Sequence, residues 1–156
     1  MPNDRSHSLR VLASLKPAQV FLDAYTTTRL PQDLSLFFRA PEYFWSLTPP
    51  DDFTLVALLD DGGDEVVTFY DPATRAIVTK DLQDFENDFD RFASWNQFVG
   101  ALMLRIAEGS VASANAPRIA TLLGFPHLDR LLAFARSSNN DPATYDTERR
   151  LFLATL

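Results

Sequence analysis

The stretch Phe53-Thr54-Leu55-Val56-Ala57-Leu58-Leu59-Asp60-Asp61-Gly62-Gly63-Asp64-Glu65-Val66-Val67-Thr68-Phe69-Tyr70 decides the fold class. Its apolar run, Phe53 to Leu59, follows the helix-stopping turn cluster Thr48-Pro49-Pro50-Asp51-Asp52 and is apolar on both alternating faces, as a strand inside a sheet is. Asp60 to Asp64 supplies residues that tolerate positive φ, and Val66, Val67, Phe69 and Tyr70 resume β-type chemistry, so the two runs predict a hairpin. Asp71-Pro72-Ala73-Thr74 is a second turn and Ala76 to Thr79 a third strand. The expected result is an antiparallel meander.

Upstream of the meander the chain reads as helix to about Trp45. Leu9, Leu12, Leu15, Val20, Phe21 and Ala24 recur at helical spacing around Pro17, which opens or kinks a helix. Leu30-Pro31-Gln32-Asp33 restarts the chain, Leu34, Phe37 and Phe38 form the apolar face of a short helix, and Pro41 closes it. Downstream, Leu82, Phe85, Phe89 and Phe92 are spaced as in a helix, but a loop pinned by three phenylalanines fits the stretch Lys80 to Phe92 equally well. Ser94 with Gln97 makes a capping box for a helix carrying Trp95, Phe98, Val99, Leu102, Met103 and Ile106. Ser110 to Ala116 reads as a flexible linker, followed by short helices around Ile119–Leu123 and Leu128–Phe134 and a last one opened by Asp141-Pro142. The apolar end, Leu151, Phe152 and Leu153, must dock on its own domain or on a second subunit, which leaves a homodimer open.

At 156 residues, with 46% hydrophobic and 22% charged residues, the chain has room for one ordinary globular domain, expected over residues 1–156. No apolar run reaches the roughly 18 residues of a membrane span, and Met1 to Arg10 lacks the apolar core of a secretory signal, so a cytoplasmic location and no membrane contact are expected. Having no cysteine excludes disulfides, thiolate nucleophiles and Cys-based zinc sites, and two histidines, His7 and His127, are too few for a His-based metal cluster.

Catalytic templates are missing: there is no G-x-S-x-G, Walker loop, G-x-G-x-x-G or H-E-x-x-H. His127, between Pro126 and Leu128 with no nucleophile motif near it, reads as a helix-start or surface residue. Gly62-Gly63 is flanked by four acidic residues that would repel a phosphate, which favours a turn. Asp84, Glu86, Asp88 and Asp90 alternate like the opening of an EF-hand, but Phe89 stands where that loop needs glycine and Trp95 where it needs the bidentate glutamate. No metal or cofactor is expected.

What remains is a charge distribution. The net charge is −7, yet from Asp51 to Phe92 twelve carboxylates face three cations, a net of −9, while eleven cations and nine carboxylates leave the remainder at +2. Such a block is either a solvated face that keeps the protein in solution or an acidic docking surface for a basic partner, and its sign argues against direct nucleic-acid binding.

The order of these features resembles the SMI1/KNR4-like (SUKH) superfamily. The likeness rests on Leu30-Pro31-Gln32-Asp33 with Leu36, Phe37 and Phe38, the strand leading into Asp60-Asp61-Gly62-Gly63-Asp64-Glu65, a third strand, and Ser94-Trp95-Asn96-Gln97-Phe98-Val99. It covers about Leu30 to Glu108, and the tail from Val111 to Leu156 has no counterpart in the pattern. The resemblance implies an α+β fold, a twisted and mostly antiparallel sheet flanked by helices, with a core over about 30–108 and a helical extension over 111–156. It also implies no enzymatic activity and, as in many bacterial members, an immunity protein that neutralises a cognate protein toxin, often a nuclease. A carboxylate-rich surface can occupy a phosphate-binding cleft as a polyanion mimic. The contact candidates on this expectation are Asp60, Asp61, Asp64 and Glu65 on the hairpin and Asp84, Glu86, Asp88 and Asp90 beyond it, with Tyr70 as an aromatic anchor. The alternative is a protein-interaction or scaffold module, homodimeric through its C-terminal helices, with no toxin.

Overall fold

The structure, a computed structural model, describes residues 4–26, 29–109, 113–137 and 141–156. It is α+β. Helices α1 (Arg5–Ser14), α2 (Gln19–Asp23), α3 (Gln32–Ser35) and α4 (Glu42–Ser46) precede strands β1 (Val56–Asp60), β2 (Val66–Asp71), β3 (Ala76–Asp81) and β4 (Asp90–Phe92). Helices α5 (Trp95–Glu108), α6 (Ala116–Leu122), α7 (Leu128–Ser137) and α8 (Pro142–Leu153) follow. The chain divides into two compact units, Met1–Ser94 and Trp95–Leu156. Among the described residues no helix is long and apolar enough to cross a membrane.

In the first unit α1 starts where the Asp4 carboxylate accepts the His7 N–H at 2.7 Å, and it stops before Lys16, in the left-handed region at φ 53°, and Pro17. Leu12, Val20, Phe21 and Leu34 of α1 to α3 are buried, as is Phe38 just beyond α3. The four strands form an antiparallel sheet in the order β1-β2-β3-β4. Phe44 of α4 packs with Ala57, Val67 and Phe69, and Phe53, Leu55 and Phe85 close around this cluster. Its rings meet edge to face, Phe44 on Phe69 at 5.0 Å and Phe53 on Phe85 at 5.6 Å, contacts worth about 0.5–1.5 kcal/mol each beyond area burial.

Two expectations are corrected here. Phe53 and Leu55 precede β1 and serve the aromatic cluster, so the first strand is shorter than its apolar run. Of the two readings of Lys80 to Phe92 the helix fails and the loop holds only in part: β3 continues to Asp81, a loop follows, and Asp90–Phe92 adds a fourth strand paired through Ile77↔Phe92, Val78↔Arg91 and Thr79↔Asp90. The phenylalanines of the supposed stripe therefore part ways, Phe85 into the cluster, Phe92 into a buried strand position, and Phe89 into water at 68% exposure.

In the second unit α5 is buried at Phe98, Val99, Gly100, Ala101, Leu102, Met103, Leu104 and Ile106, too many consecutive positions for a single stripe, as befits a central helix. A Cβ on Gly100 would lie 2.4 Å from Leu156 Cδ1 and 3.3 Å from Leu153 Cδ2, so this glycine lets the chain end close on α5. Of the C-terminal apolar residues expected to dock, Leu153 is buried and Phe152 stacks on Phe134 with ring centroids 4.6 Å apart, both within their own unit, whereas Leu151 stays 66% exposed. Asp141 caps α8 by accepting the Ala143 N–H. Of the expected linker, residues 110–112 lie outside the described residues, Ser113–Asn115 form a 3-10 turn, and Ala116 begins α6.

Candidate partner-binding surface

A meander brings alternate turns to the same edge. β1 ends at Asp60 where β2 begins at Val66, and β3 ends at Asp81 where β4 begins at Asp90, so the β1–β2 hairpin and the β3–β4 connection share one end of the sheet. The Leu82 N–H donates to the Glu65 carbonyl at 2.8 Å and ties the two together. All eight predicted contact carboxylates belong to this end, but their side chains do different things.

Asp60 is 1% exposed. Its backbone exchanges both hydrogen bonds with Arg39 at 3.0 Å, and its carboxylate accepts the Gly62 N–H at 2.6 Å and Arg39 Nε at 3.1 Å. Burial and the nearby Asp64 push its carboxyl above the ordinary 3.8, against the pull of Gly62 and Arg39. Asp64, in the left-handed region at φ 60°, meets Arg39 Nη2 at 2.5 Å. Gly62, at φ 88°, sits where a Cβ would be 2.8 Å from the Leu36 carbonyl oxygen, so the hairpin tip closes against the turn after α3 only with glycine there. Asp60 is therefore an internal residue and not an outward contact, and Asp64 shares its charge with Arg39.

The second turn has its own internal network. Lys80 is buried in β3; its ammonium donates to the Phe85 carbonyl at 3.0 Å and meets Asp88 at 2.7 Å. Arg91 reaches Asp88 at 2.9 Å, Asp71 at 3.2 Å and the Thr74 hydroxyl at 2.9 Å. Partial burial works against Asp88, but Lys80 and Arg91 outweigh it and hold its carboxyl below the usual range. The Thr74 hydroxyl does most to lower Asp71, helped by the Ala73 N–H and Arg91 against burial. Asp84 is lowered chiefly by the Asn87 amide, and Asp90 is half-buried in β4 opposite Thr79.

Asp61, Glu65, Asp84 and Glu86 are left at the sheet end outside every ion pair among the described residues. Asp61 accepts its own loop's Gly63 N–H, and the other three are exposed. Tyr70 is not beside them. It is half-buried at the far end of β2, paired with Ile77, about 16 Å along the strand from Glu65 at the usual rise per residue. The apolar side chains at the acidic end are ones that sequence reasoning missed: Phe89, between Asp88 and Asp90, and Leu36, 69% exposed on the turn that Gly62 abuts. Leu36 had a readable signal, being out of helical phase with buried Leu34 and Phe38. Phe89 had none beyond its acidic neighbours.

Among the described residues no three His, Asp or Glu side chains group as a cation site. His127 lies edge-on to Phe125 with ring centroids 5.9 Å apart, and His7 lies in the first turn of α1. No protein-family model matches the chain, and neither the curated proteins nor the solved structures give a significant match.

Proposed function

We propose that this protein is a non-enzymatic binding protein of the SMI1/KNR4-like type, acting in the cytoplasm as an immunity protein that neutralises a basic toxin, with a nuclease as the best-fitting target. The observation that carries this reading is the meeting of two turns that hold Asp61, Glu65, Asp84 and Glu86 outside every ion pair among the described residues, with Leu36 and Phe89 exposed at the same end. Arg39, Lys80 and Arg91 are engaged by other carboxylates, so they fix the turns without cancelling these four charges. Unpaired charge of one sign accelerates encounter with an oppositely charged protein, while exposed apolar side chains supply area that becomes dry on docking. The motif order from Leu30 to Glu108 supports the same family of roles.

The test is binding and inhibition against a panel of basic bacterial nuclease domains, compared with a variant carrying Asp61→Asn, Glu65→Gln, Asp84→Asn and Glu86→Gln. The expected outcome is inhibition of one nuclease by the native chain, with the association rate of the variant lower by about tenfold or more at low salt. Undiminished binding by the variant overturns the surface. A concentration-dependent self-dimer with no heterologous ligand replaces this reading by the scaffold alternative.

A further inference from the structure

Beside the hairpin, within the first unit, lies an open cavity of about 390 Å3 lined among the described residues by Ala24, Arg39, Ala40, Glu42, Tyr43 and Asp64. Its room comes from the two alanines, and its chemistry from the other four side chains. Tyr43 is 49% exposed, and its ring takes part in no hydrogen bond or ring contact with the other described residues. Glu42 meets Arg5 through one oxygen at 2.9 Å, and Asp64 meets Arg39 at 2.5 Å. Each pair engages one carboxylate oxygen, Glu42 Oε1 and Asp64 Oδ1, so the second oxygen of each lies outside that pair and can take a further cation while Arg39 keeps its partner. Arg39 cannot offer the cavity a positive site, because Asp60 and Asp64 occupy its Nε and Nη2 sides. Around the cavity three carboxylates face two guanidiniums, in a unit where sixteen carboxylates face eight cations. An anion is disfavoured there and a cation favoured.

We infer that this cavity receives an arginine side chain of a protein partner, its guanidinium stacked on Tyr43 and held by Glu42 and Asp64. The planar ion suits the site better than an ammonium, since it stacks on an aromatic face and offers paired donors to a carboxylate. Together with the four carboxylates at the sheet end, the cavity would give the docking surface a specificity element, a pocket for one residue beside a field for many. The inference rests on the basic-partner reading given above and refines it.

Two probes test it, acetyl-arginine-methylamide followed by amide chemical shifts and hexa-arginine followed by fluorescence anisotropy, both with the full chain. Saturable shifts confined to Tyr43, Asp64 and their neighbours are expected with the first. For hexa-arginine, Tyr43→Leu and Glu42→Gln should each weaken binding roughly two- to fivefold, while Tyr43→Phe keeps native affinity and hexa-lysine gains less from Tyr43. Hexa-arginine affinity insensitive to Tyr43→Leu and Glu42→Gln, but lowered by neutralising Asp61, Glu65, Asp84 and Glu86, overturns the cavity and leaves the acidic surface standing. Absence of saturable binding by both probes also overturns the inference, and the nuclease panel then decides the wider reading independently.

Discussion

At the β1–β2 hairpin a carboxylate is buried and its cation stands half in water: the Asp60 side chain is 1% exposed and that of Arg39 43%. In the β3–β4 connection the arrangement is reversed, with the Lys80 side chain at 9% and that of Asp88 at 29%. The two turns have similar composition and share one end of the sheet, yet one is organised around an internal anion and the other around an internal cation. Burial penalises a charged form whichever its sign, so the buried member of each pair depends on its partner while the exposed member can fall back on water. The difference shows in titration: Asp60 is pushed above its ordinary value, whereas the more exposed Asp88 is drawn below its own.

Removing the exposed partner should break the comparison most sharply. Arg39→Ala leaves Asp60 buried with the Gly62 N–H and a neighbouring carboxylate. The loss is bounded, because at pH 7 the carboxyl can escape by taking up a proton, at about 1.4 kcal/mol per pH unit above its pKa. A destabilisation of about 2–4 kcal/mol in urea unfolding is expected. Lys80→Met, which keeps the apolar stem and removes the buried charge, leaves Asp88 partly in water and still paired with Arg91, and should lower stability by about 1 kcal/mol or less. Equal losses in the two variants would show that the buried member does not control the cost.

How much of this was legible follows from particular residues. Strands β1 to β3 were readable because long β-type runs alternate with turn chemistry at Asp60–Asp64 and Asp71–Thr74. β4 was not, since three residues carry too little periodicity to outvote the helical spacing of Phe85, Phe89 and Phe92. The gathering of the acidic turns at one end was implicit in the meander. The fate of each carboxylate was not, because the cation that claims Asp60 lies 21 residues upstream in a segment that carries no strand signal. Burial of Asp60 continues that of β1, which is covered from Val56 onward, so the last strand residue is drawn inside with the rest. Tyr70 failed on strand length, a quantity the sequence already contained.

Opposite shifts make opposite pH responses, and this sharpens the comparison at a smaller energy. Asp60 has a folded value above the unfolded one, so its protonation favours the folded state. Its contribution is complete below about 3.9 and disappears as pH rises through its raised value. Asp88, lowered on folding, contributes stability above about 3.9 and loses it as pH falls through its depressed value. In urea titrations from pH 7 to pH 3, the advantage of the native chain over Asp60→Asn should therefore grow toward acid, and its advantage over Asp88→Asn should shrink. Slopes of the same sign would contradict the two-network account.

The smallest effect on folding is expected at Phe89, and that smallness is informative. Phe89 is anchored by its backbone, whose N–H donates to the Thr79 carbonyl at 2.8 Å, while its ring stays 68% exposed between Asp88 and Asp90. Phe89→Ala removes little buried area and no side-chain hydrogen bond, so the unfolding free energy should stay within about 0.5 kcal/mol of native. A Phe kept in water by a network that fixes both its neighbours is, on the proposed function, an anchor for a partner, and the same substitution should weaken nuclease binding by roughly tenfold or more. A loss of stability above about 1 kcal/mol would instead assign the ring to the fold, and unchanged binding with unchanged stability would remove Phe89 from the surface and leave the carboxylates to carry recognition alone.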